Sequence, residues 1–375
     1  MRTGGITGPG RGIGFCNGDR AMNMLRSDLC RSTEKLAEIE RVVEDVGRRR
    51  VLLLCHNNPD PDTIASAYGF SFLLNKKFNV RSVIGYGGVV TRAENKAMIN
   101  RLRIKTSQLT RVDPSKYFGT AMIDAQPGTG NNLLDGKGER PLIVIDHHPL
   151  RKLTLKAYVH DIRPKYGATS TIVTEYIVAA GLTPSRSVAN ALLYGIKTDT
   201  NALGRGASKQ DFNAFTFLSP LTNPRVVGWI ERPALSEDYF ADYQRGLARA
   251  ILYRDVAVSY LGKIRSEAII PELADLLLRI EGICWSMCLG ENKNQMFISV
   301  RSTSRTKRAG SVLRRLIGTA GSAGGHRGMA GAQVPLAGLT HAEKQDLPRK
   351  LINRFLKLLD RDGVSPRLMV ESPET

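Results

Sequence analysis

Apolar positions along the chain fall into two alternating kinds of stretch. Short runs such as Val51–Cys55 and Leu142–Ile145 stop abruptly at polar residues, while longer stretches space their apolar residues three or four apart. Continuous short runs predict buried strands, and the wider spacing predicts amphipathic helices. Leu36, Ile39, Val42, Val43 and Val46 make one helical face, opened by Ser32-Thr33-Glu34 and closed by Arg48-Arg49-Arg50. Val51–Cys55 begins the sheet, Ala65–Leu74 predicts a helix, and Val80–Tyr86 predicts a strand with a tight turn at its end, Gly85–Gly88. Asp161–Pro164 follows an edge strand, and 167–170 opens a helix through Ile172, Val173, Tyr176 and Ile177, capped by Thr169 or Ser170. The fold class is α/β: a mostly parallel N-terminal sheet flanked by helices.

A change of pattern follows. Asp238–Tyr253 predicts a bridging helix, and Val256–Tyr260 begins a new β-rich unit with Ile283–Leu289 and Met296–Val300. Val312–Ile317 and Leu351–Leu359 predict helices, the second terminal and amphipathic. With 375 residues, two domains are expected. The predicted division is a flexible leader at 1–26, a first domain at 27–235, a connecting helix at 236–254, a smaller α/β domain at 255–362 and a disordered tail at 363–375. Gly8–Gly14 has the wrong spacing for a nucleotide loop, and Met22 or Met24 offers an alternative start.

The chemistry lies where the apolar runs stop. Asp146-His147-His148 ends Leu142–Ile145, and His56-Asn57-Asn58-Pro59-Asp60-Pro61-Asp62 follows Val51–Cys55. Imidazole nitrogen and carboxylate oxygen together suit borderline divalent cations. An Asx/Pro turn accounts for Asn58, Pro59 and Asp60, but not for His56 and a second carboxylate. Asp124 follows Ala121–Ile123 before the breaker Gln126-Pro127-Gly128, and Asp199 closes a stretch containing the run Ala191–Tyr194. Either would be read alone as a cap or turn residue. If all four apolar segments enter one parallel sheet, the clusters converge at its carboxyl edge.

These motifs, in this order and spacing, resemble the DHH phosphoesterase superfamily over roughly residues 50–335. The resemblance implies two metal ions, usually Mn²⁺, with Mg²⁺ or another divalent cation as the alternative. Asp60 and Asp62 are expected to take one ion each and Asp124 to bridge them. His56 and Asp199 are expected to complete one ion's ligands and His147 the other's. His148 then orients water or contacts substrate phosphate, and Asp146 steadies an imidazole. A second resemblance, Gly324-Gly325-His326-x-x-Met329-Ala330-Gly331, is to the phosphate-contacting segment of the DHH-associated C-terminal domain. Phe297–Ser302 is similar to that domain's strand bearing a substrate-binding arginine, here Arg301. The catalytic cleft is therefore expected between the domains.

Charge narrows the partner. The chain carries a formal net charge of +19, and no acidic residue lies between Glu291 and Glu343, where Arg301, Lys307, Arg308, Arg314 and Arg315 occur. An anionic partner follows, a nucleotide or nucleic acid. The five cysteines form no CxxC, and Cys284 and Cys288 read as buried free thiols. No apolar run reaches the roughly eighteen residues a membrane helix needs, and no secretory signal is visible, so a cytoplasmic location without membrane association is expected. The expected function is Mn-dependent hydrolysis of short RNA oligonucleotides to mononucleotides, with 3′-phosphoadenosine 5′-phosphate as a further substrate and a homodimer as the assembly. Cyclic or linear dinucleotides of the cyclic di-AMP type are the alternative substrates. A non-catalytic nucleic-acid-binding protein is the alternative of another class.

Overall fold

The structure is a computed structural model that describes residues 29–90, 92–304, 306–325 and 328–370. The chain divides into two compact units with their boundary between Arg232 and Pro233. The first opens with α1 (Cys30–Val43), β1 (Arg50–Leu54), α2 (Pro61–Phe78), β2 (Arg81–Tyr86), α3 (Ala93–Arg101) and β3 (Thr106–Gln108). It continues with β4 (Gly119–Ile123), β5 (Ile143–Asp146), β6 (Val159–Ile162), α4 (Thr169–Ala179), α5 (Arg186–Asp199), α6 (Lys209–Leu218) and α7 (Pro224–Glu231).

Its six strands run in the order β3-β2-β1-β4-β5-β6, every neighbouring pair parallel. Strand residues alternate between two apolar layers. Leu53, Ile123 and Ile145 pack with the helices, whereas Leu52, Met122 and Val144 meet Val112, Leu134 and Ala157 from the connecting segments. That double burial explains why these strands read as unbroken apolar runs. The strand order reverses between β1 and β4, so the loops leaving their carboxyl ends diverge and open a crevice there.

Sequence reasoning misassigned one of the four segments. The run Ala191–Tyr194 belongs to α5, not to the sheet. Val188, Ala191, Leu192, Gly195 and Ile196 recur at helical spacing and are buried, so the short apolar run is one stretch of a helical face. Close packing against α2 depends on Gly69, where a Cβ would stand 2.9 Å from both Leu192 Cδ2 and Val173 Cγ1.

The second unit contains α8 (Glu237–Ala248), β7 (Ile251–Tyr253), β8 (Val256–Lys263), α9 (Ile269–Leu277), β9 (Trp285–Asn292) and β10 (Gln295–Ser302). It ends with α10 (Ala309–Ile317), β11 (Ser322–Gly325), β12 (Met329–Pro335), α11 (His341–Leu358) and β13 (Arg367–Leu368). The sheet order is β11-β12-β10-β9-β8-β7-β13, mixed because β8 and β9 are parallel. Helices α10 and α11 cover one face, and α8 and α9 the other. Two details differ from expectation. The helix expected over 236–254 stops at Ala248, and Ile251–Tyr253 turns back as a strand. Within the stretch expected to be disordered, Arg367 and Leu368 pair with β7. The leader expected at 1–26 lies outside the described residues. Cys288 is buried and Cys284 half-buried, both unpaired. Among the described residues no helix is long and apolar enough to cross a membrane.

Candidate metal centre

Three parallel strands deliver ligand-type side chains to one edge. His56 follows β1, Asp124 follows β4, and β5 ends on Asp146 ahead of His147 and His148. Asp60 is the N-cap of α2, accepting from the Thr63 N–H at 2.9 Å, while Pro61 fills the first helical position, which needs no donor. Asp62 in the next position is wholly buried. Its two oxygens accept the backbone N–H groups of Ser170 (2.9 Å) and Thr169 (2.7 Å) at the start of α4. Neither Thr169 nor Ser170 caps α4 as expected; Ala168 holds the N-cap position without a side-chain bond, and the Asp62 carboxylate does that work from another helix. Asp199 arrives from the far end of α5. A Cβ on Gly195 would run into Ser170 Oγ and stand 3.0 Å from Asp62 Oδ1, so glycine there lets α5 approach.

Asp124 sits at the middle. Its φ is +55°, a left-handed conformation that Asp tolerates better than most residues. Oδ2 lies 3.7 Å from His56 Nε2, and Oδ1 lies 3.6 Å from His147 Nε2. Hydroxyls of Thr63 (2.5 Å to Oδ2) and Thr169 (2.8 Å to Oδ1) fix both oxygens. Two ligand groups result, His56–Asp60–Asp124 and Asp62–His147–Asp199, with a third cluster of Asp124, Asp146, His147 and His148. The grouping corrects one expectation: Asp199 stands with His147, 3.3 Å from its Nε2, rather than with His56.

The ring nitrogens are used unequally. His147 Nδ1 donates to the Tyr166 carbonyl at 3.1 Å, which leaves the Nε2 lone pair facing carboxylates. That Nε2 is sealed from solvent and makes no hydrogen bond of normal geometry. His56 Nδ1 meets the Asn57 carbonyl at 2.9 Å, and its Nε2 likewise points inward. Lone pairs aimed at carboxylate oxygens need positive charge between them. Among the described residues no Lys or Arg pairs with Asp60, Asp62, Asp124, Asp146 or Asp199. The donor set therefore fits a divalent cation on each side of Asp124.

Without cations, protons take up the imbalance. Burial, reinforced by Asp199 and Asp124, pushes the Asp62 carboxyl well above the carboxylate range. Burial likewise raises Asp124 to about 6 against the pull of His148 and His147. Burial works against charge on His56, yet Asp60 and Asp124 outweigh it and hold the imidazole up at about 10. His148 is different: Nδ1 bonds Asp146 Oδ1 at 2.9 Å, and the half-exposed ring presents its other nitrogen outward.

Several supporting residues escaped sequence reasoning. Gln126, read only as part of a breaker, is buried and donates to Asp146 Oδ2 at 2.8 Å, while its own oxygen accepts from Arg151 N and Thr154 Oγ1. Asp211 ties Gly167 N (2.8 Å) and Thr171 Oγ1 (2.5 Å), holding the segment that carries Tyr166 and Thr169. The capping-box pattern Ser208–Asp211 was its only sequence signal. Around the Gly85–Gly88 turn, Asn58 Oδ1 accepts from Val89 N and Asn58 N donates to Gly87 O, so the turn braces the ligand loop.

The predicted phosphate contacts of the second unit fare differently. Arg301 is buried, and every nitrogen of its guanidinium is engaged, by Asp275, Ser299 and the Val300 carbonyl. The structure spends that fork internally rather than leaving it open. Gly324 and Gly325 lie in β11 opposite Gly331 and Ala330. Gly325 has φ +142°, and a Cβ there would collide with the Met329 and Ala330 backbone. His326 lies outside the described residues.

Comparison with known proteins matches two family models, the DHH family N-terminal domain over residues 50–196 and the DHHA1 domain over 254–358. An uncharacterized protein of Methanocaldococcus jannaschii is 33% identical over 352 residues, covering 92% of this chain and 70% of its own. A probable manganese-dependent inorganic pyrophosphatase of Lactococcus lactis is 24% identical over 154 residues, 40% of this chain and 48% of its own. Among solved structures, an exopolyphosphatase-related protein from Bacteroides fragilis superposes with a TM-score of 0.65 at 17% identity, covering 86% of this chain and 98% of its own.

Proposed function

The chain belongs to the DHH family, and we propose that this phosphoesterase is a manganese-dependent phosphodiesterase releasing mononucleotides from short RNA oligonucleotides. One observation carries the reading: the two oxygens of Asp124 face imidazole nitrogens on opposite sides, His56 at 3.7 Å and His147 at 3.6 Å. A carboxylate so placed would hold a cation on each side. A pair of divalent cations, when bound, neutralises a phosphate and acidifies water near neutral pH. Mixed imidazole and carboxylate donors favour Mn²⁺ over Mg²⁺.

The chain's own residues supply orientation. His56, Asp60 and Asp124 would hold one cation, and Asp62, His147, Asp199 and Asp124 the other. Thr63 and Thr169 fix the rotation of the Asp124 carboxylate, so bridging needs no reorganisation. Asp146 bonds His148 Nδ1 and turns the other ring nitrogen outward, where it can donate to a phosphate oxygen or hold an attacking water. The formal charge of +19 supports an oligomer with several phosphates over a single anion.

The test uses purified protein, Mn²⁺ and RNA of two to five nucleotides, with cyclic di-AMP, its linear product and 3′-phosphoadenosine 5′-phosphate in parallel. Mononucleotides from the RNA series are expected. Cleavage confined to the cyclic or linear dinucleotide would transfer the assignment to that substrate, and no product from any of them would end it.

A further inference from the structure

The second unit holds a hollow that the metal centre does not use. A cavity of about 700 Å³ opens between α10 and α11, lined by Lys307, Arg308, Arg315, Arg354 and Lys357 with a single carboxylate, Asp360. That carboxylate is already taken: Lys307 Nζ bonds Asp360 Oδ2 at 2.7 Å and the Leu358 carbonyl at 2.9 Å. Arg354 Nη2 donates to the Arg315 carbonyl at 2.8 Å, tying the two helices together across the hollow. Among the described residues, Arg308, Arg315, Arg354 and Lys357 make no ion pair. Four uncompensated cations around one hollow repel each other, a cost that an anion in the hollow removes.

We infer that this groove is a binding site for the phosphate backbone of single-stranded RNA, holding a stretch of chain separate from the phosphate undergoing cleavage. The chemistry selects that occupant. Arginine forks match phosphate oxygens, and lysine adds a mobile point charge. Among the described residues no aromatic side chain lines the hollow, so it grips backbone without stacking bases, and sequence preference is not expected. Sequence reasoning saw Lys307, Arg308 and Arg315 as one basic run; the fold adds Arg354 and Lys357 from the terminal helix to the same wall. The inference rests on the reading of RNA as substrate, and extends it: longer RNA gains affinity from a contact that is not part of the metal centre.

The test compares the full-length protein with R308A/K357A, whose side chains are exposed and make no hydrogen bond that joins elements among the described residues, and with the charge-preserving R308K/K357R. Binding of a fluorescent 12-nucleotide RNA is followed by anisotropy across a salt series, and dinucleotide turnover is measured alongside. R308A/K357A is expected to weaken RNA binding about tenfold and to flatten the log–log salt slope by about 1.4, the loss of two single-strand phosphate contacts. Dinucleotide turnover should stay unchanged, and R308K/K357R should bind as the parent does. Unaltered RNA affinity in R308A/K357A overturns the inference, as does an equal loss in R308K/K357R. So does a loss of binding to fluorescent polyglutamate, titrated in parallel, with RNA affinity unaltered, which would assign the groove to an acidic protein segment. Absence of dinucleotide turnover in the parent, with the RNA result as expected, defeats the catalytic reading and leaves the groove standing.

Discussion

Two buried clusters of charge lie in the first unit, and they handle charge in opposite ways. Behind β6, Arg163 is buried with Asp161 and Glu175, donating to Asp161 Oδ2 from both Nε (2.9 Å) and Nη2 (2.6 Å) and to Glu175 Oε2 from Nη1 (2.5 Å). Tyr176 Oη adds a bond to Asp161, Ser32 Oγ one to Glu175, and Arg31 pairs with Asp161 from the rim. Burial favours a neutral Asp161, but Arg163 outweighs it and the carboxyl stays below its usual range. At the metal centre, burial drives the equally buried Asp62 the other way, and instead of an opposing cation Asp199 and Asp124 reinforce the shift. Depth is the same; the partners differ. A buried network that closes on its own counter-charges is architecture, and one left short of positive charge is a place for a ligand. The two are joined: Tyr166 gives its carbonyl to His147 and its hydroxyl to Glu175 at 2.9 Å, so the closed network steadies a ligand of the open one.

The contrast can be broken most severely at Asp124. Asp124→Asn keeps the left-handed backbone accessible but removes the charge that lies between His56 and His147. Turnover should fall by about a thousandfold or more, in keeping with a loss of several kcal/mol. Elemental analysis should find less manganese per chain, and retention of both activity and metal would refute the shared centre. Next comes Arg163→Met, which strands Asp161 and Glu175 without their counter-charge. Urea melts should show a loss of about 3–5 kcal/mol. A melt matching the parent would mean that the network is not closed as described. Gly195→Ala tests the approach of α5 and should cost about 1–3 kcal/mol through overpacking beside Ser170 and Asp62. Manganese affinity would fall with it, read by titration calorimetry.

The mildest probe is pH. In the cation-free site His56 sits at about 10 and is protonated at neutrality, so a metal must displace its proton. Protons on ligands oppose binding, and manganese affinity should rise at least about tenfold per pH unit between 6 and 10, because the raised Asp62 and His147 add to the proton on His56. Below 6 the slope should steepen as Asp124, at about 6, takes up a proton too. Calorimetry in buffers of different ionisation heat counts the protons released. A pH-independent affinity would show that the imidazoles are not ligands.

Much of the centre was legible because its residues sit where a periodic pattern stops. His56–Asp62 and Asp146–His148 interrupt apolar runs, and nothing about packing requires them there. Asp124 was found by its order among the motifs rather than by its surroundings. Asp199 stands beside Asp62 and His147, but its apolar run was given to the wrong kind of element, since four apolar residues in a row do not distinguish a strand from part of a buried helical face. Gln126 and Thr63 were invisible for another reason, and Asp211 showed only as a capping-box residue. Each is an ordinary polar residue whose role exists only through a partner between 3 and 61 positions away. The engagement of Arg301 by Asp275 is of the same kind.

The short pairing of Arg367 and Leu368 with β7, extended by a bond from Met369 N to the Ala250 carbonyl at 2.9 Å, has a consequence for handling the protein. Those residues shield the outer rim of a sheet whose last strand reads Ile-Leu-Tyr. A chain cut before Arg367 would present bare amides and carbonyls on an apolar strand, an invitation to other copies. Light scattering should register the damage as clumping.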